Sequence, residues 1–273
     1  KKFDRLSRFS MNLPELRRRI DSDLALPDLP QDKVIASAVR LLLECHIRVG
    51  NEEYARSNRS YGLTTLRDRH VSIEGGRIEL RFIGKSGKSH HIVIRDNRVA
   101  RVLERCRRLS GALLFQFIDA AGEVKAINSG DINDYLRAVC GSEFSAKDVR
   151  TWAGTVMAIR ALCAEESRGE KSQRNAKRQL NAALREVADH LGNTLAVCRQ
   201  CYVHPGVFQL HLDGELARVV ARCGTENRAA ADADETTRLA VLAHLKRRRN
   251  VSNANIGKAS QRSRRNAKMR TVR

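Results

Sequence analysis

The sequence lacks any apolar run approaching the ~20 residues that a helix needs to cross a bilayer, and it has no N-terminal secretory signal. A protein with membrane-spanning helices is therefore not expected. The chain begins at Lys1 rather than at Met, as a fragment or a processed product would. Its seven cysteines, an odd number without a secretory signal, are typical of reduced thiols in the cytoplasm.

Acidic residues are also scarce, because 31 Asp and Glu stand against 51 Lys and Arg, which gives a formal net charge of +20. Such an excess favours a polyanionic partner, with nucleic acid ahead of a membrane surface. Lys246–Arg273 holds 11 Lys and Arg and no acid, in a Ser, Asn and Ala background without apolar periodicity. This segment is predicted to be a disordered basic tail. Without its 11 cations the remaining 245 residues still carry +9, so the basic character is not confined to the tail.

Motifs for metal-dependent or nucleotide-dependent chemistry give little support for such a reaction. The sequence has no H-E-x-x-H pattern, and "GKSGKS" at residues 84–89 fails the spacing of a P-loop. Cys198, Cys201 and His204 imitate half of a zinc site, but no second pair follows to complete four ligands. We therefore expect packing thiols at this place, no metal site, and a reaction that needs no cofactor.

Hydrophobic periodicity predicts an α+β fold that is mainly helical and contains one small antiparallel sheet. Ile35, Ala38, Val39 and Leu42 follow the i, i+3, i+4, i+7 spacing of a helix. Short β-rich runs from Tyr61 to Arg95, beginning with "YGLTTL" and separated by glycine-containing turns, predict the sheet. The polar stretch Glu165–Arg178 is predicted to be a loop or linker. Further helices are expected at residues 99–109, 129–139, 145–159, 184–191, 210–222 and about 232–245.

Four residues have types and positions that invite a chemical role. Arg48 follows a predicted helix end, Lys85 lies on a predicted hairpin tip, Arg150 is in the first turns of a capped helix, and Tyr202 is one of only four tyrosines. Cleavage of a phosphodiester places extra negative charge on the non-bridging oxygens, which two arginines can neutralise where a metal ion otherwise would. A tyrosine can attack the phosphorus and a lysine can protonate the departing oxygen.

Each of these residues also has an ordinary explanation when it is taken alone. Arg48 fits a surface cation, Lys85 fits a turn lysine, and Arg150 fits an ion-pair partner of a nearby acid. Tyr202 fits half-buried packing, and Asn193 fits a helix C-cap side chain. Only their joint occurrence favours a catalytic site.

Five motifs in a fixed order carry a resemblance to a known family: "IRVGNEEYA", "YGLTTL", "FIGKSGKSH", "AKDVRTWAGT" and "LGNTLAVCRQCYV". Together they resemble the catalytic domain of type IB DNA topoisomerases, in the bacterial and poxvirus-like branch, from Lys2 to about Leu210. The resemblance implies the fold that these enzymes share with tyrosine recombinases. It also implies relaxation of supercoiled duplex DNA through a transient 3′-phosphotyrosyl link, without ATP or an obligatory metal. A monomer in the cytoplasm, associated with the nucleoid, is expected.

The resemblance also implies a role for each matching residue. Asn193 stands where many members have histidine and bacterial members often have asparagine, and its amide can still donate a hydrogen bond to a non-bridging oxygen. The other implied roles are nucleophile for Tyr202, phosphate clamp for Arg48 and Arg150, general acid in the minor groove for Lys85, and contact with DNA for Tyr54, Lys88 and Lys147.

The predicted domain organisation has two parts. Residues 1–245 form the catalytic domain, with the small sheet at about 61–95 inside it, and residues 246–273 form the tail. The β-rich clamp domain that the family usually has ahead of this region is absent from the sequence. A tyrosine recombinase, which would need a helical core-binding domain ahead of the catalytic one, and a non-catalytic DNA-binding relative remain as alternatives.

Overall fold

The computed structural model describes residues 3–166 and 172–225, and it confirms a mainly helical fold with a small antiparallel sheet. The helices are α1 (Leu6–Leu24), α2 (Gln31–Cys45), α3 (Glu52–Asn58), α4 (Asn97–Cys106), α5 (Ser129–Cys140), α6 (Ala146–Glu166), α7 (Gln173–Leu191), α8 (Leu195–Cys201), α9 (Pro205–Leu212) and α10 (Leu216–Thr225). The strands are β1 (Val71–Glu74), β2 (Arg77–Ile83), β3 (Ser89–Arg95), β4 (Gln116–Ile118) and β5 (Val124–Ala126).

The chain divides into two compact units. The larger unit consists of Phe9–Ala158 and Asn181–Val203, and it contains every predicted site residue. Among the described residues, the smaller unit consists of 3–8, 159–166, 172–180 and 204–225. Within the described part of the smaller unit, α9 contacts α10, and both helices bury leucine side chains.

Helix α2 forms the centre of the larger unit. Its predicted apolar stripe is confirmed, because Ile35, Ala38, Val39 and Leu42 are all buried. The helix contacts α4, α5 and β4, so its apolar side chains are removed from water by several elements at once. It ends at Cys45, which places the chain that follows, including Arg48, at the edge of this core.

The sheet has the order β1-β2-β3 and is antiparallel throughout, as predicted. Ile78, Leu80 and Phe82 alternate along β2 and are buried, which is the period expected for a strand with one face on a core. In the β2–β3 register Phe82 pairs with His90 and Ile83 pairs with Ser89. The residues between these pairs form the predicted hairpin tip.

The prediction of a β run at "YGLTTL" is wrong. Leu63–Thr65 is a turn of 3-10 helix, and its residues are buried. The main-chain N–H groups of Leu63 and Thr64 donate to the carbonyls of Arg48 and Val49 at 2.8 and 2.7 Å. The backbone therefore satisfies its hydrogen bonds with the loop after α2 rather than with a neighbouring strand.

The prediction of a loop at Glu165–Arg178 is also wrong where the structure describes it. Helix α6 continues to Glu166 and α7 begins at Gln173. Arg, Lys, Gln and Ala, which dominate the start of α7, are good helix formers, so a polar stretch can be helical without an apolar face. Residues 167–171 lie outside the described part of the chain.

Several other boundaries differ from the prediction. The helix expected at 210–222 is two helices, since the chain turns at Gly214 with φ +68° between α9 and α10. The helix expected at about 232–245 and the basic tail lie outside the described residues. Periodicity did not predict α1, although Leu13, Leu16 and Ile20 are spaced for one helix face and are buried. Among the described helices, none is long and apolar enough to cross a membrane.

Candidate active site

The C-terminal end of α7 is the centre of the site. Gly192 ends the helix in the left-handed region at φ +61°, as a C-cap glycine does. The carbonyls that a helix leaves unpaired at this end carry partial negative charge and attract cations. The three successive main-chain carbonyls of residues 191–193, here called the α7 carbonyl run, accept from Arg150 Nη2 at Leu191 (2.8 Å), Arg48 Nη2 at Gly192 (3.1 Å) and Lys88 Nζ at Asn193 (2.9 Å).

Arg48 is held by the side chain of Asn193 as well as by the carbonyl run. Arg48 Nη2 donates to Asn193 Oδ1 at 2.5 Å, and Asn193 Nδ2 lies 3.4 Å from the carbonyl of Leu191. The Asn193 side chain is buried and is therefore fixed by these two contacts. In this arrangement Asn193 orients Arg48, in addition to any contact that its amide makes with a substrate.

Arg150 is the most deeply buried cation of the site, with 4% of its surface exposed. It projects from the second turn of α6, whose start is fixed by the Asp148 carboxylate accepting from the backbone and hydroxyl of Ser145 at 3.0 and 2.9 Å. Arg150 Nη1 donates to the carbonyl of His46. Arg150 Nε is buried and has no hydrogen-bond partner among the described residues. A buried donor left in this way is costly, and an anionic oxygen would satisfy it.

The surroundings of Arg150 act on its charge in opposite directions. Burial lowers the pKa of its guanidinium below the ordinary value, Tyr202 opposes this shift, and the nearby charge of Arg48 adds to it. An arginine remains protonated at neutral pH even so. Two positive groups are thus held together in a partly dry site, where their attraction for an anion is stronger than in water.

Tyr202 follows α8 directly and lies against Arg150. The Cζ atom of Arg150 is 5.2 Å from the centroid of the Tyr202 ring, within the range of a cation–π contact. The main chain of Tyr202 is fixed at both ends, because its N–H donates to Cys198 at 2.9 Å and its carbonyl accepts from Thr155 Oγ1 at 3.3 Å. Gly154 on α6 permits this approach, since a Cβ atom there would lie 2.8 Å from the Tyr202 carbonyl oxygen.

Lys85 lies apart from the α7 carbonyl run, on the exposed tip of the hairpin. Its Nζ atom is 5.4 Å from the centroid of the Tyr54 ring, and Tyr54 is 50% exposed on α3. Asn51 caps α3 by accepting from the N–H of Tyr54 at 3.1 Å. The structure therefore brings Lys85 together with Tyr54.

The two other lysines predicted to contact DNA have different positions. Lys88 is half-buried and bonded to the carbonyl of Asn193, so it lies within the site. Lys147 is exposed on the first turn of α6, three residues before Arg150. Within the described residues, no hydrogen bond or ion pair joins its side chain to the other site residues.

His90 is a site residue that sequence reasoning missed. Its ring stacks on Phe82 at 4.8 Å with an interplanar angle of 13°. Burial lowers its pKa, and the charges of Arg48, Arg150 and Lys88 lower it further. The strand period contained a signal for it, because His90 shares a face of β3 with Ile92 and Ile94, whereas His91 lies on the other face.

A second histidine feature joins the ends of α2 and α7. His46 Nδ1 and His190 Nε2 are 2.9 Å apart, so one ring donates to the other. Burial, His190 and Arg150 lower the pKa of His46 to about 3. The carbonyl of His46 is the same group that accepts from Arg150, so the histidine pair is in contact with the arginine.

The thiols near Tyr202 have the character of packing groups. Cys198 is fully buried, and burial raises the pKa of its thiol to about 11, so it is protonated at neutral pH. Among the residues that the structure describes, no three His, Cys, Asp or Glu side chains come together as a metal site would require. The sequence pattern Cys198, Cys201, His204 therefore gains no support as a zinc ligand set from the described part.

Comparison with known proteins gives a consistent result across most of the chain. A family model described as "Eukaryotic DNA topoisomerase I, catalytic core" matches residues 1–211. The DNA topoisomerase 1B of Acanthamoeba polyphaga mimivirus is 34% identical over 215 residues, which cover 77% of this chain and 64% of the viral protein. The DNA topoisomerase I of Monkeypox virus is 22% identical over 187 residues, which cover 68% of this chain and 56% of that protein.

The chain thus spans less than two thirds of the length of these curated relatives. Among solved structures, the XerH site-specific recombinase bound to its difH substrate aligns with a TM-score of 0.42 at 15% identity. That alignment covers 70% of this chain and 49% of the recombinase.

Proposed function

The chain belongs to the type IB DNA topoisomerases of the poxvirus-like group, and from this membership we propose that it relaxes supercoiled duplex DNA by cutting and resealing one strand. The family match covers residues 1–211. The proposal assigns the complete relaxation activity of the family to this chain. The observation that carries it is the placement of Tyr202 against the buried guanidinium of Arg150, in a cluster with Arg48.

In the proposed reaction the Tyr202 hydroxyl attacks a DNA phosphorus. A bond forms between the phosphorus and the phenolic oxygen as the phenolic proton leaves to solvent. The bond to the 5′-oxygen breaks, this oxygen takes the electron pair and a proton, and the tyrosine remains linked to the 3′ end. The free 5′-hydroxyl end rotates, and attack by this hydroxyl on the phosphotyrosine reverses the step. The energy of the bond is retained in the intermediate, so neither ATP nor another energy source is required.

Arg150 and Arg48 supply the charge for the non-bridging oxygens. A guanidinium offers a planar set of donors with a permanent charge, which suits two oxygens of one phosphate. The unpartnered Nε of Arg150 provides a donor for such an oxygen. The bonds of Arg48 and Arg150 to the α7 carbonyl run hold both side chains in place before the substrate arrives, so little reorganisation is needed.

The remaining residues have secondary roles in this proposal. Asn193 fixes Arg48 and offers its amide to a phosphate oxygen. Tyr54 and Lys147, both exposed, contact the DNA backbone. Lys85 donates a proton to the departing 5′-oxygen. Its position on an exposed hairpin tip allows it to enter a groove of the DNA and reach that oxygen.

The test is incubation of the purified chain with supercoiled plasmid in EDTA, without ATP, followed by gel electrophoresis. We expect a ladder of relaxed topoisomers from both positively and negatively supercoiled plasmid, because arginines stand where a metal ion would otherwise act. Activity that appears only with added Mg²⁺ would contradict the proposed role of Arg48 and Arg150 in neutralising the phosphate. Exchange of strands between two duplexes, with no relaxation, would identify a recombinase instead.

A further inference from the structure

The hairpin between β2 and β3 is attached to the end of α7 by two side chains. Lys88 Nζ donates to the carbonyl of Asn193 at 2.9 Å. The His90 ring fills the space beside Gly192, where a Cβ atom would lie 2.9 Å from His90 Cε1. The same ring also fills the space beside Gly84, where a Cβ atom would lie 2.6 Å from His90 Nε2. Two glycines thus leave room for one imidazole.

The loop that carries Lys85 is closed by the same residue that attaches it. The N–H of Gly84 donates to the carbonyl of Lys88 at 2.7 Å. Between them, Ser86 and Gly87 have φ of +63° and +71°, so the loop turns back through two left-handed residues. Lys85 lies inside this closed loop but does not itself reach the α7 carbonyl run. The place of its backbone is therefore set by the attachment at Lys88 and His90.

We propose that Lys88 is a positioning residue for the proposed reaction: its bond to the α7 carbonyl run holds the hairpin where Lys85 protonates the departing 5′-oxygen. The proposal rests on the function proposed above and adds a residue whose implied role was only contact with DNA. A lysine at the end of a helix is favoured by the partial negative charge there, so the bond has an electrostatic as well as a geometric basis. His90 supports the same attachment from the start of β3.

The charges around His90 are consistent with this role. Three cations, Arg48, Arg150 and Lys88, act on its ring, and they oppose a fourth positive charge there. A neutral imidazole packs against Phe82 and Gly192 without repelling Lys88 from its carbonyl. The attachment thus combines the ammonium group of Lys88, which binds the α7 carbonyl run, with the uncharged ring of His90, which fills the space beside Gly192.

The experiment is single-turnover cleavage at saturating DNA, with substrates whose scissile 5′-bridging atom is either oxygen or sulfur. A thiolate leaves without a proton, so sulfur removes the need for a general acid. With the oxygen substrate we expect Lys88→Ala to slow cleavage roughly 10- to 100-fold, the effect that follows from misplacing a reacting group by about 1 Å. With sulfur we expect most of the rate to return. Lys88→Arg, which keeps the charge and a donor, should retain more activity than Lys88→Ala.

The double variant Lys85→Ala/Lys88→Ala separates positioning from direct catalysis. If Lys88 acts through Lys85, the double variant cleaves the oxygen substrate as slowly as Lys85→Ala alone, because residues acting as one unit are not additive. Lys33→Ala is the matched control, since Lys33 also donates to a carbonyl, that of Leu26, at the turn between α1 and α2. His90→Ala should reproduce the Lys88→Ala pattern, and His91→Ala, whose side chain contacts Glu79 instead, should not.

Four outcomes would overturn the proposal. Additive rate reductions without rescue by sulfur would mean that Lys88 acts on the phosphate itself. A change confined to DNA affinity and its salt dependence would make Lys88 a backbone contact. Wild-type rates for Lys85→Ala would remove the acid through which Lys88 is proposed to act, and they would also revise the proposed function. If Lys85→Ala is slow and rescued by sulfur while Lys88→Ala cleaves at the wild-type rate, the positioning role of Lys88 is rejected and the proposed function stands.

Discussion

At the scale of single residues, the site depends on what each side chain can reach rather than on its type alone. Lys85 and Lys88 are both lysines of one hairpin, yet Lys85 contacts the Tyr54 ring and Lys88 contacts the end of α7. Arg48 and Arg150 likewise share a chemistry but differ in burial, and the buried Nε of Arg150 has no hydrogen-bond partner among the described residues. The most selective test of a single residue removes only the hydroxyl of Tyr202.

Replacement of Tyr202 by phenylalanine should abolish covalent cleavage while DNA binding changes little. The change removes one hydroxyl from an interface in which phosphate contacts dominate affinity, and the ring that packs on Arg150 remains. The measurement is protein linked to labelled DNA after denaturation with SDS. Tyr61→Phe is a matched control, because it removes a hydroxyl that accepts from Arg69. An adduct formed by Tyr202→Phe, or a wild-type link to the 5′ end, would refute the assignment.

At the scale of elements, the site is assembled from the ends of α2, α7 and α8 and the second turn of α6. Helix ends leave carbonyls unpaired, and the α7 carbonyl run, which starts at the last residue of α7 and continues over the next two residues, holds three cations. Close approach of α8 to α6 is possible because residue 154 has no side chain. These contacts predict that changes outside the reacting groups will alter catalysis.

Gly154→Ala should slow cleavage at least 10-fold without weakening DNA binding. Alanine favours a helix over glycine by about 0.5–1 kcal/mol, but its Cβ would lie 2.8 Å from the carbonyl oxygen of Tyr202 and 3.3 Å from the Tyr202 Cβ. The backbone that carries the nucleophile must therefore shift. Single-turnover cleavage and a binding isotherm measure the two effects. A wild-type cleavage rate would show that the position of Tyr202 tolerates this displacement, and Gly154→Ser should be slower still.

The imidazole pair at the ends of α2 and α7 should make the fold sensitive to acid. His46 has a pKa of about 3 in the fold, against an ordinary value of 6.5. Between these values the unfolded chain binds a proton that the folded chain does not, so stability is full above about pH 6.5 and falls as the pH falls towards 3. The pKa of His190 is also lowered, mainly by burial, and acts in the same direction.

We therefore expect the melting temperature to decrease between pH 7.5 and pH 5, with a smaller decrease in His46→Asn. Asparagine tolerates the left-handed conformation that residue 46 adopts at φ +54°, so the helix end should be preserved. Thermal unfolding followed by circular dichroism at several pH values provides the comparison. Parallel curves for the two proteins would show that His46 does not cause the dependence.

At the scale of the whole molecule, positive charge is the dominant property. The chain carries +20, and the segment of residues 246–273, which lies outside the described structure, holds 11 of its cations. Such a segment attracts DNA at long range and releases counterions when it binds. The site residues belong to the larger unit, so we expect residues 246–273 to affect binding strength more than chemistry.

Removal of residues 246–273 should weaken DNA binding and flatten its dependence on salt. For each DNA phosphate that the shortened chain no longer neutralises, the slope of log K against log salt should decrease by about 0.9. Cleavage at saturating DNA should remain largely intact, because the reacting groups are elsewhere. Affinity measured across a range of salt concentrations tests the first part, and single-turnover cleavage tests the second. An unchanged slope would show that the segment does not contact DNA.

The sequence alone determined those parts of the site that depend on near neighbours in the chain. The helix end at Gly192, the helix that carries Arg150 with its Ser145–Asp148 start, and the hairpin tip with Lys85 were all predicted, because caps, turns and strand alternation are local. Local patterns failed where partners are distant. "YGLTTL" resembles a strand, but the N–H groups of its Leu63 and Thr64 bond to the carbonyls of Arg48 and Val49, more than ten residues earlier.

Only the tertiary structure decided how the cations are arranged around α7. No spacing in the sequence shows that Arg48, Lys88 and Arg150, which come from three separate elements, donate to three successive carbonyls at residues 191–193. Nor does any pattern place His90 between two glycines that are 108 positions apart, at 84 and 192. The chain determines which groups are present through composition and local bonding. Packing of buried apolar faces brings their backbones together, and thereby determines which of them meet.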